Sequence, residues 1–526
     1  MSLPSHEVGF HFPSGSDPGR ATERFTPCVR ERGREESAAP VSAPLLATPT
    51  TDSNPTPGPT SLAPEVTPQE APARNWMRWV LGVVALLPGL IAVVQLGRIH
   101  PDEVYQSLEP AWWRVHGYGV LAWEWREGLR NWAVPGVLAG FLKLADLLGI
   151  THPRAYRVVV ALPQVALHAW SLWAAYRFAQ RRAGTWGGLL STLLVGLYGP
   201  VLVFAGRTMA ESISASLLIV AVEALDRRAR LERAGLVGGM ALGLAVVARY
   251  PSAIFVLAAL VWLAAARQWR LLAFTCAGGL GVAVALGALD WATWGSPFHS
   301  FFAYVRFNVF SGKAAAQFGA DAPSFYVKPL FTAVPLWAWA AVPVGIAALR
   351  RRRALSLPLW CAAMYTGVLL ATAHKEERFL YPGLVLGVLA AAPPVAAGLV
   401  QLARPAGRWA LAGLALVASL GAAAFFPSGD LRADQLRAIV AATRGNARGL
   451  LIVNEGLWGS GGFFYLGKRI PWLTCDWPHD GAFQRALRDR TFNRAVTFED
   501  RALDELQAGG FHIVRKVGRE TILSRE

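Results

Sequence analysis

The sequence predicts an all-α polytopic membrane protein with about 11–13 transmembrane helices and a small α/β domain outside the membrane. Hydrophobic residues make up 53% of the 526-residue chain and charged residues only 16%, whereas soluble proteins carry about 25% charged residues. The apolar residues are grouped into stretches of about 15–22 residues, as a bilayer requires. The last hundred or so residues lack such stretches, and they are the predicted α/β domain.

Residues 1–74 form the first segment of the chain. They are rich in Pro, Ser, Thr and Ala and hold too few apolar side chains to fold. No apolar stretch lies near the start, so the pattern is not that of a cleaved signal peptide. We predict a disordered cytoplasmic tail.

Residues 75–427 are predicted to form the transmembrane domain. Its first span runs from Trp76 to Leu96 and leads into a polar segment, 97–131, predicted to be a catalytic outer loop. The remaining apolar stretches lie near 132–150, 156–176, 184–205, 208–225, 234–249, 251–266, 271–292, 329–349, 357–373, 379–399 and 408–426.

Residues 428–526 are predicted to be a small α/β domain on the outer face. An amphipathic helix is expected at 432–444 and an apolar strand at Leu450–Asn454. Further helices are expected near 481–490 and 499–508, and two short strands within 511–524.

The orientation follows from the basic clusters at the ends of the apolar segments, which are typical of cytoplasmic loops. One conflict arises between 132–150 and 156–176, which cannot both span if 97–131 lies outside and 177–182 inside. Either one segment is re-entrant or broken, or that cluster faces outward. The clusters lie at 177–182, 227–233, 267–270, 350–353 and 404–408. Placing them inside puts 199–207, 249–251, 293–328, 374–378 and the tail outside.

The net charge of +16 resides largely at these span ends. No basic module with interleaved aromatic residues stands apart from the membrane segments, so the pattern excludes nucleic acid as a partner. The four cysteines show no metal or redox spacing, and we expect free thiols. They are Cys28, Cys276, Cys361 and Cys475.

The sequence His100-Pro101-Asp102-Glu103 directly follows the first span. Further acids, Glu109, Glu124 and Glu127, lie among a dense set of tryptophans. Glycosyl transfer needs a carboxylate to take the proton of the acceptor hydroxyl, and aromatic faces stack on sugar rings. The alternative is that these residues only flank a span, with the tryptophans as an interfacial belt. The tryptophans are Trp112, Trp113, Trp123, Trp125 and Trp132.

Five consecutive ionisable residues, His374-Lys375-Glu376-Glu377-Arg378, separate two apolar segments. A short solvated loop would explain them. However, the predicted topology places them outside, where basic residues are disfavoured. A lipid donor with a phosphate headgroup also requires cationic ligands, which Arg, Lys and His supply.

Two arginines, Arg207 and Arg249, lie at the predicted outer side. Each could simply snorkel to the interface, although Pro251 after Arg249 also suggests a helix broken where it lines a cavity. The aromatic loop 293–328 could either lie on the membrane surface or roof a groove for a lipid substrate.

No other catalytic pattern is present: there is no phosphate-binding loop with Lys-Ser/Thr, no zinc spacing and no serine elbow. Nucleotide sugars are absent outside the cytoplasm. A lipid-linked donor therefore fits an outer active site better.

At these motifs the chain resembles the mannosyltransferases of glycosylphosphatidylinositol-anchor and asparagine-linked glycan assembly, in the glycosyltransferase C superfamily. The likeness covers roughly residues 76–400. Ala122, Asn131 and Glu377 depart from the usual Thr, Ser and aromatic residue. The resemblance is carried by 100–106, Glu109-Pro110, 117–119, Trp123-Glu124-Trp125, Leu129-Arg130, Arg207-Thr208, Arg249-Tyr250-Pro251, Asp290, Trp294-Gly295, Asn308-Val309 and 374–379.

The resemblance implies a multi-helix membrane enzyme that transfers mannose from a polyprenyl-phosphate donor, with inversion, to a lipid or glycan acceptor. It implies Asp102 as the general base and Glu103 beside it to position the acceptor. The donor phosphate would bind His374, Lys375 and Arg378, together with Arg207 and Arg249. Acceptor or sugar contacts would come from His100, Glu109, Trp123, Glu124 and Trp125.

The Ala- and Arg-rich composition and the added outer domain suggest a bacterial relative, in an inner membrane with its active site facing the periplasm or exterior. The alternatives are a superfamily member using another sugar, a flippase or transporter for a lipid-linked sugar, and a non-catalytic scaffold. We expect no metal site, because the adjacent acids Asp102 and Glu103 are too few to define one, although they could bind a divalent cation.

Overall fold

A computed structural model describes residues 74–94, 96, 100–227, 229–339, 342–343, 346, 355–404, 407–425, 433–478 and 481–526. These residues belong to one compact unit, 68–526. The prediction of a disordered tail at 1–74 lies outside the described residues apart from Arg74, and so does the basic cluster 350–353.

The described chain is predominantly helical. Its α-helices are α1 Arg74–Val94, α2 Glu109–His116, α3 Trp123–Arg126, α4 Ala133–Leu147, α5 Pro153–Gly196, α6 Gly199–Phe204, α7 Ala210–Leu225, α8 Leu231–Ala248, α9 Ala253–Ala265, α10 Trp269–Trp294, α11 His299–Val305, α12 Lys313–Phe318, α13 Val327–Ala333, α14 Leu336–Trp339, α15 Leu357–Ala371, α16 Tyr381–Leu402, α17 Gly407–Phe425, α18 Ala433–Ala442, α19 Gly456–Ser460, α20 Gly462–Leu466, α21 Gly481–Arg488 and α22 Leu503–Ala508.

The membrane character of the fold is confirmed. Within the described residues, five helices are long and apolar enough to cross a bilayer: α1, α5, α8, α10 and the helix that continues from Glu377 to Leu402. Three shorter apolar helices accompany them, at Tyr250–Ala265, Leu357–Ala371 and Gly407–Ala418. The figure of 11–13 spans stays a prediction.

The arrangement of α4 and α5 answers the conflict over 132–150 and 156–176. Helix α4 has 15 residues and is about 22 Å long, too short for a hydrocarbon core of about 30 Å. It packs against α2 and α5. Helix α5 then runs on to a kink at Gly184, where φ is 70°. Arg157 of α5 lies beside Glu103, whereas Arg181 lies beside Asp226. Residues 177–182 are therefore at the end of the bundle opposite to 100–131.

The predicted apolar segment 184–205 does not form a single helix. Helix α5 ends at Gly196, and a separate short helix, α6, begins at Gly199. Pro200 lies in the first turn of α6, where its fixed φ favours the start of a new helix. Hydropathy alone does not reveal this break, because both helices are apolar.

Charged residues meet at the two ends of the bundle. At the basic end (177–182, 223–233 and 267–270), Arg181 and Arg182 bind Asp226, and Arg270 binds Glu232. The opposite end, here called the motif end, contains 100–131, 207–211, 249–251 and 374–378. Helices α7 and α8 run between the two ends. The sequence motifs therefore converge on one end of the bundle.

A five-stranded sheet follows the bundle. Its strands are β1 Leu450–Val453, β2 Trp472–Cys475, β3 Arg494–Thr497, β4 His512–Val517 and β5 Glu520–Ser524, in the order β2-β1-β3-β5-β4. β1 is parallel to β2 and β3, while β5 is antiparallel to β3 and β4. The α/β class is confirmed, as are α18, β1, β4 and β5. The sequence prediction missed β2 and β3, which are only four residues long.

Candidate functional site

Asp102 lies at the start of a π-helical turn, Glu103–Leu108, that follows α1. Its Oδ2 is 2.7 Å from Nη2 of Arg378 and its Oδ1 is 3.5 Å from Nδ1 of His100. Burial alone would raise the pKa of Asp102, but the Arg378 guanidinium holds it well below its usual range. The side chain keeps 26% of its surface exposed. Asp102 is thus an ionised carboxylate that stays partly open.

Arg378 joins Asp102 to two further carboxylates. Its Nη1 is 3.2 Å from Oε1 of Glu211, and its Nε is 2.6 Å from Oε2 of Glu376. Arg249 also approaches Glu211, at 3.5 Å, and donates to the Tyr365 hydroxyl at 2.7 Å. The predicted residues Asp102, Arg249 and Arg378, from three distant parts of the chain, are therefore brought together.

Two histidines border this cluster. His100 Nε2 is 3.4 Å from Oε2 of Glu376, and His374 Nε2 is 3.2 Å from Oε1 of the same residue. Burial lowers the pKa of His100, but the carboxylates of Asp102 and Glu376 outweigh burial and raise it above its ordinary value. Charges of both signs thus alternate around Asp102, a pattern typical of sites that stabilise developing charge.

Glu103, next to Asp102 in sequence, points into the protein. It is completely buried, with Oε1 2.7 Å from Arg157 Nη2 and Oε2 3.4 Å from Arg207 Nη1. The backbone N–H and hydroxyl of Thr208 each donate to it at 3.0 Å. Burial would raise the pKa of Glu103, but the two arginines keep it lowered. Glu103 and Arg207 therefore form a buried ion cluster that is separate from Arg378.

Lys375 is also turned inward. Its Nζ donates to the carbonyl oxygen of Asp321 at 2.9 Å and to that of Thr372. Only 4% of the residue is exposed. The ammonium group therefore ties the loop before α16 to the segment after α12.

Among the residues predicted to contact the acceptor, three support the framework in this structure. Glu109 is fully buried and accepts from the N–H of Val120 at 2.8 Å and of Phe464 at 2.5 Å. Trp125, also buried, donates to the carbonyl of Tyr105. Glu124 accepts from Gln106 at 2.9 Å.

Trp123 is the half-exposed member of that predicted set. Its ring lies 4.9 Å from Phe307 and 5.9 Å from Phe318, measured between ring centroids. Phe318 in turn lies 5.3 Å from the ring of His374. The aromatic loop after α10 therefore reaches both the first loop and the last motif. Its exposed apolar side chains include Phe302, Val309, Phe310 and Phe318.

The sequence prediction missed Arg157 as a partner of the catalytic loop. A signal existed, because an arginine inside an apolar segment is expensive and usually faces a partner in the bundle. The prediction also named no role for Glu211, Glu376 and Tyr365, whose importance follows from contacts across the bundle.

Within the part of the chain that the structure describes, no three His, Cys, Asp or Glu residues form a group that could hold a metal ion. Asp102 and Glu103 have different cationic partners, Arg378 and Arg157. In this arrangement their carboxylates do not converge on a shared cation site.

The model of the Alg9-like mannosyltransferase family matches residues 79–428. The chain belongs to this family. GPI mannosyltransferase 3 of Yarrowia lipolytica is 29% identical over 360 residues, which cover 66% of this chain and 67% of the relative. The Drosophila melanogaster protein of the same name is 32% identical over 142 residues, or 27% of this chain and 24% of the relative.

Solved structures support the fold of this mannosyltransferase. ArnT from Cupriavidus metallidurans bound to undecaprenyl phosphate is 14% identical, with a TM-score of 0.56 over 86% of this chain and 98% of that protein. The apo form has a TM-score of 0.51. The predicted family and fold are therefore confirmed, and the protein is an integral membrane glycosyltransferase.

Proposed function

We propose that this enzyme moves mannose from a polyprenyl-phosphate donor to a lipid or glycan acceptor at the motif end, with inversion, using Asp102 as general base. The observation that carries the proposal is the environment of Asp102: an ionised, partly exposed carboxylate within 2.7 Å of Arg378. The adjacent Glu103 is fully buried, so it acts by fixing the turn behind Asp102.

The reaction needs one proton transfer and one displacement. The acceptor hydroxyl oxygen attacks the anomeric carbon as Asp102 takes its proton. The bond between that carbon and the phosphate oxygen breaks, and its electron pair leaves with the polyprenyl phosphate. Attack from the opposite face inverts the configuration of the anomeric carbon.

The leaving phosphate requires cations close to Asp102. Arg378, Arg249 and His374 are the predicted residues that border the Asp102 cluster. We assign the phosphate to these three. Lys375 and Arg207 support the site from behind, since both engage buried protein oxygens.

Donor binding would also alter the base. In the free enzyme Arg378 is shared among Asp102, Glu211 and Glu376. A phosphate that competes for this guanidinium weakens its hold on Asp102, and the pKa of Asp102 then rises. A carboxylate with a higher pKa accepts a proton more readily, so the base becomes effective when the donor is present.

The substrate class is supported by the proteins to which the chain is similar. The ArnT structure contains undecaprenyl phosphate, and the curated relatives are named for transfer of mannose in glycosylphosphatidylinositol assembly. The half-exposed Trp123 is suited to contact a sugar ring, and the exposed aromatic side chains of the loop after α10 suit a prenyl chain. We place the enzyme in a bacterial inner membrane, with the motif end facing the periplasm or exterior, because the opposite end carries the basic clusters.

The test is sugar transfer by membranes containing the protein, given radiolabelled polyprenyl-phosphate mannose. Asp102→Asn is the test variant. Asp226→Asn is a matched control, because Asp226 also binds arginines but lies at the basic end. We expect Asp102→Asn to lower turnover by about 10²–10⁴-fold while donor binding persists, and Asp226→Asn to retain activity.

Three results would contradict parts of the proposal. Full activity of Asp102→Asn would remove Asp102 as the base. Transfer from another donor in a panel of polyprenyl-phosphate sugars, but none from mannose, would replace the sugar. Movement of intact donor across vesicles without transfer to any acceptor would identify a flippase.

A further inference from the structure

The segment Ser460–Leu466, which follows β1, sits directly on the first loop. The Ser460 hydroxyl is 2.8 Å from the hydroxyl of Tyr105. The N–H of Phe464 donates to Glu109 at 2.5 Å, and the Tyr156 hydroxyl donates to the carbonyl of Phe464. Hydrogen bonds thus connect this segment to the turn that follows Asp102 and to helix α5.

Aromatic packing reinforces these bonds. The Phe464 ring is completely buried and lies 5.1 Å from Tyr156 and 6.3 Å from Trp112, between ring centroids. Phe463 lies 5.2 Å from Tyr118. Burial of these rings and edge-on contacts between them stabilise the junction.

Gly462 is the residue of this segment that lies against the side chain of Glu109. Its φ is +64°, which favours glycine, and a Cβ built there would lie 2.3 Å from Cδ of Glu109. No other residue type could occupy this position without moving the Glu109 carboxylate. Glu109 has no exposed surface, so it cannot move away into solvent.

Glu109 and Asp102 flank the same π-helical turn, Glu103–Leu108. Such turns are rare and frequently lie at functional sites. A displacement of Glu109 is therefore transmitted along a single turn to Asp102. Misplacement of a reacting group by about 1 Å costs up to about 100-fold in rate.

We infer that segment 460–466 is part of the catalytic apparatus, and that Glu109 is a positioning residue through which this segment holds Asp102 in place. The inference rests on the proposed role of Asp102 as the base. The candidate active site then includes a segment of the α/β domain. Glu109, which the resemblance assigned to acceptor binding, instead aligns the base.

A double-mutant cycle tests this link. Gly462→Ala and Glu109→Ala should each lower kcat about tenfold, with the KM for the donor changed less than about twofold, because the base moves and the donor's cations do not. If Gly462→Ala acts through Glu109, the double variant should also lose only about tenfold instead of about a hundredfold.

Gly445→Ala is the matched control. Gly445 lies in the same α/β region with φ +66°, but a Cβ there would meet nothing within 4 Å. It therefore reports the strain of a positive φ without displacing Glu109. All rates are divided by the amount of monodisperse protein. Glu109→Gln, which keeps an oxygen for the N–H of Phe464, should recover part of the activity.

Amide hydrogen exchange supplies a readout that does not depend on activity. Gly462→Ala should speed exchange across residues 103–109 relative to Gly445→Ala and leave β1 unchanged. Additive losses in the cycle, or equal behaviour of the two alanine variants in both measurements, would overturn the inference. If native enzyme transfers no sugar while exchange responds as expected, the proposed function fails but the structural link stands.

Discussion

The two ends of the helical bundle both pair arginines with carboxylates, yet in opposite surroundings. At the basic end the side chains of Arg182 and Asp226 are 35% and 21% exposed. At the motif end those of Arg157 and Glu103 are 1% and 0% exposed. Exposed pairs are screened by water and contribute little, whereas a buried charge must keep its partner. The same residue types are therefore screened by water at one end and held in a fixed, buried geometry at the other.

The largest effect on stability should come from breaking the buried cluster. Glu103→Gln removes the carboxylate charge beside the buried Arg157 and Arg207, which we expect to lower the free energy of unfolding by about 3–5 kcal/mol. Thermal unfolding in detergent measures the loss. An unchanged melting temperature would show that water reaches these arginines and would remove the contrast between the two ends.

The next comparison exchanges an arginine for lysine at each end. Arg378→Lys removes the planar fork that serves Asp102, Glu211 and Glu376, so we expect kcat/KM to fall about 10–100-fold. Arg182 pairs with Asp226 at the basic end, so Arg182→Lys should leave kcat/KM nearly unchanged. The two variants are compared by initial rates of transfer, and equal losses would contradict the assignment of Arg378 to the site.

The pH dependence of kcat/KM tests the ion pair between Arg378 and Asp102 at the motif end. Because Arg378 holds the pKa of Asp102 below its usual range, Asp102 should stay ionised as the pH falls to about 4. In Arg378→Gln the largest charge that opposes burial is lost, so protonation of Asp102 moves to higher pH and kcat/KM declines earlier on the acid side. A His100→Gln background removes the titration of that ring. If kcat/KM declined at the same acidic pH with and without Arg378, a group other than Asp102 would control that decline.

The smallest effect is expected at the basic end. Asp226→Asn breaks its ion pairs with Arg181 and Arg182, but we expect it to lower the free energy of unfolding by less than about 1 kcal/mol. The measurement is thermal unfolding alongside Glu103→Gln. A loss comparable to that of Glu103→Gln would show that exposure does not separate the two ends.

The sequence predicted best those site residues whose chemistry differs from that of their immediate neighbours in the chain. The acidic motif at Asp102 and the ionisable run ending in Arg378 stood out against apolar neighbours, and the structure brings these two residues within 2.7 Å. Residue chemistry alone could not separate Asp102 from Glu103, and only the family resemblance gave them different roles. The two adjacent carboxylates have different partners, Arg378 and Arg157. The resemblance gave Glu109 and Trp125 contacts with the acceptor or sugar, whereas the structure buries both, Glu109 against Phe464 and Trp125 against Tyr105.

By itself, the sequence determined the membrane class, the α/β character of the tail, the family and the motifs that meet at one end of the bundle. These depend on hydropathy, periodicity and residue type, which are properties of short segments. Only the tertiary structure decided that α4 is a short helix packed against α2 and α5, that Glu103 is buried between two arginines, and that Gly462 lies against Glu109. Those outcomes depend on burial and on contacts between residues up to several hundred positions apart, and local pattern does not encode which of two neighbouring side chains will face the interior.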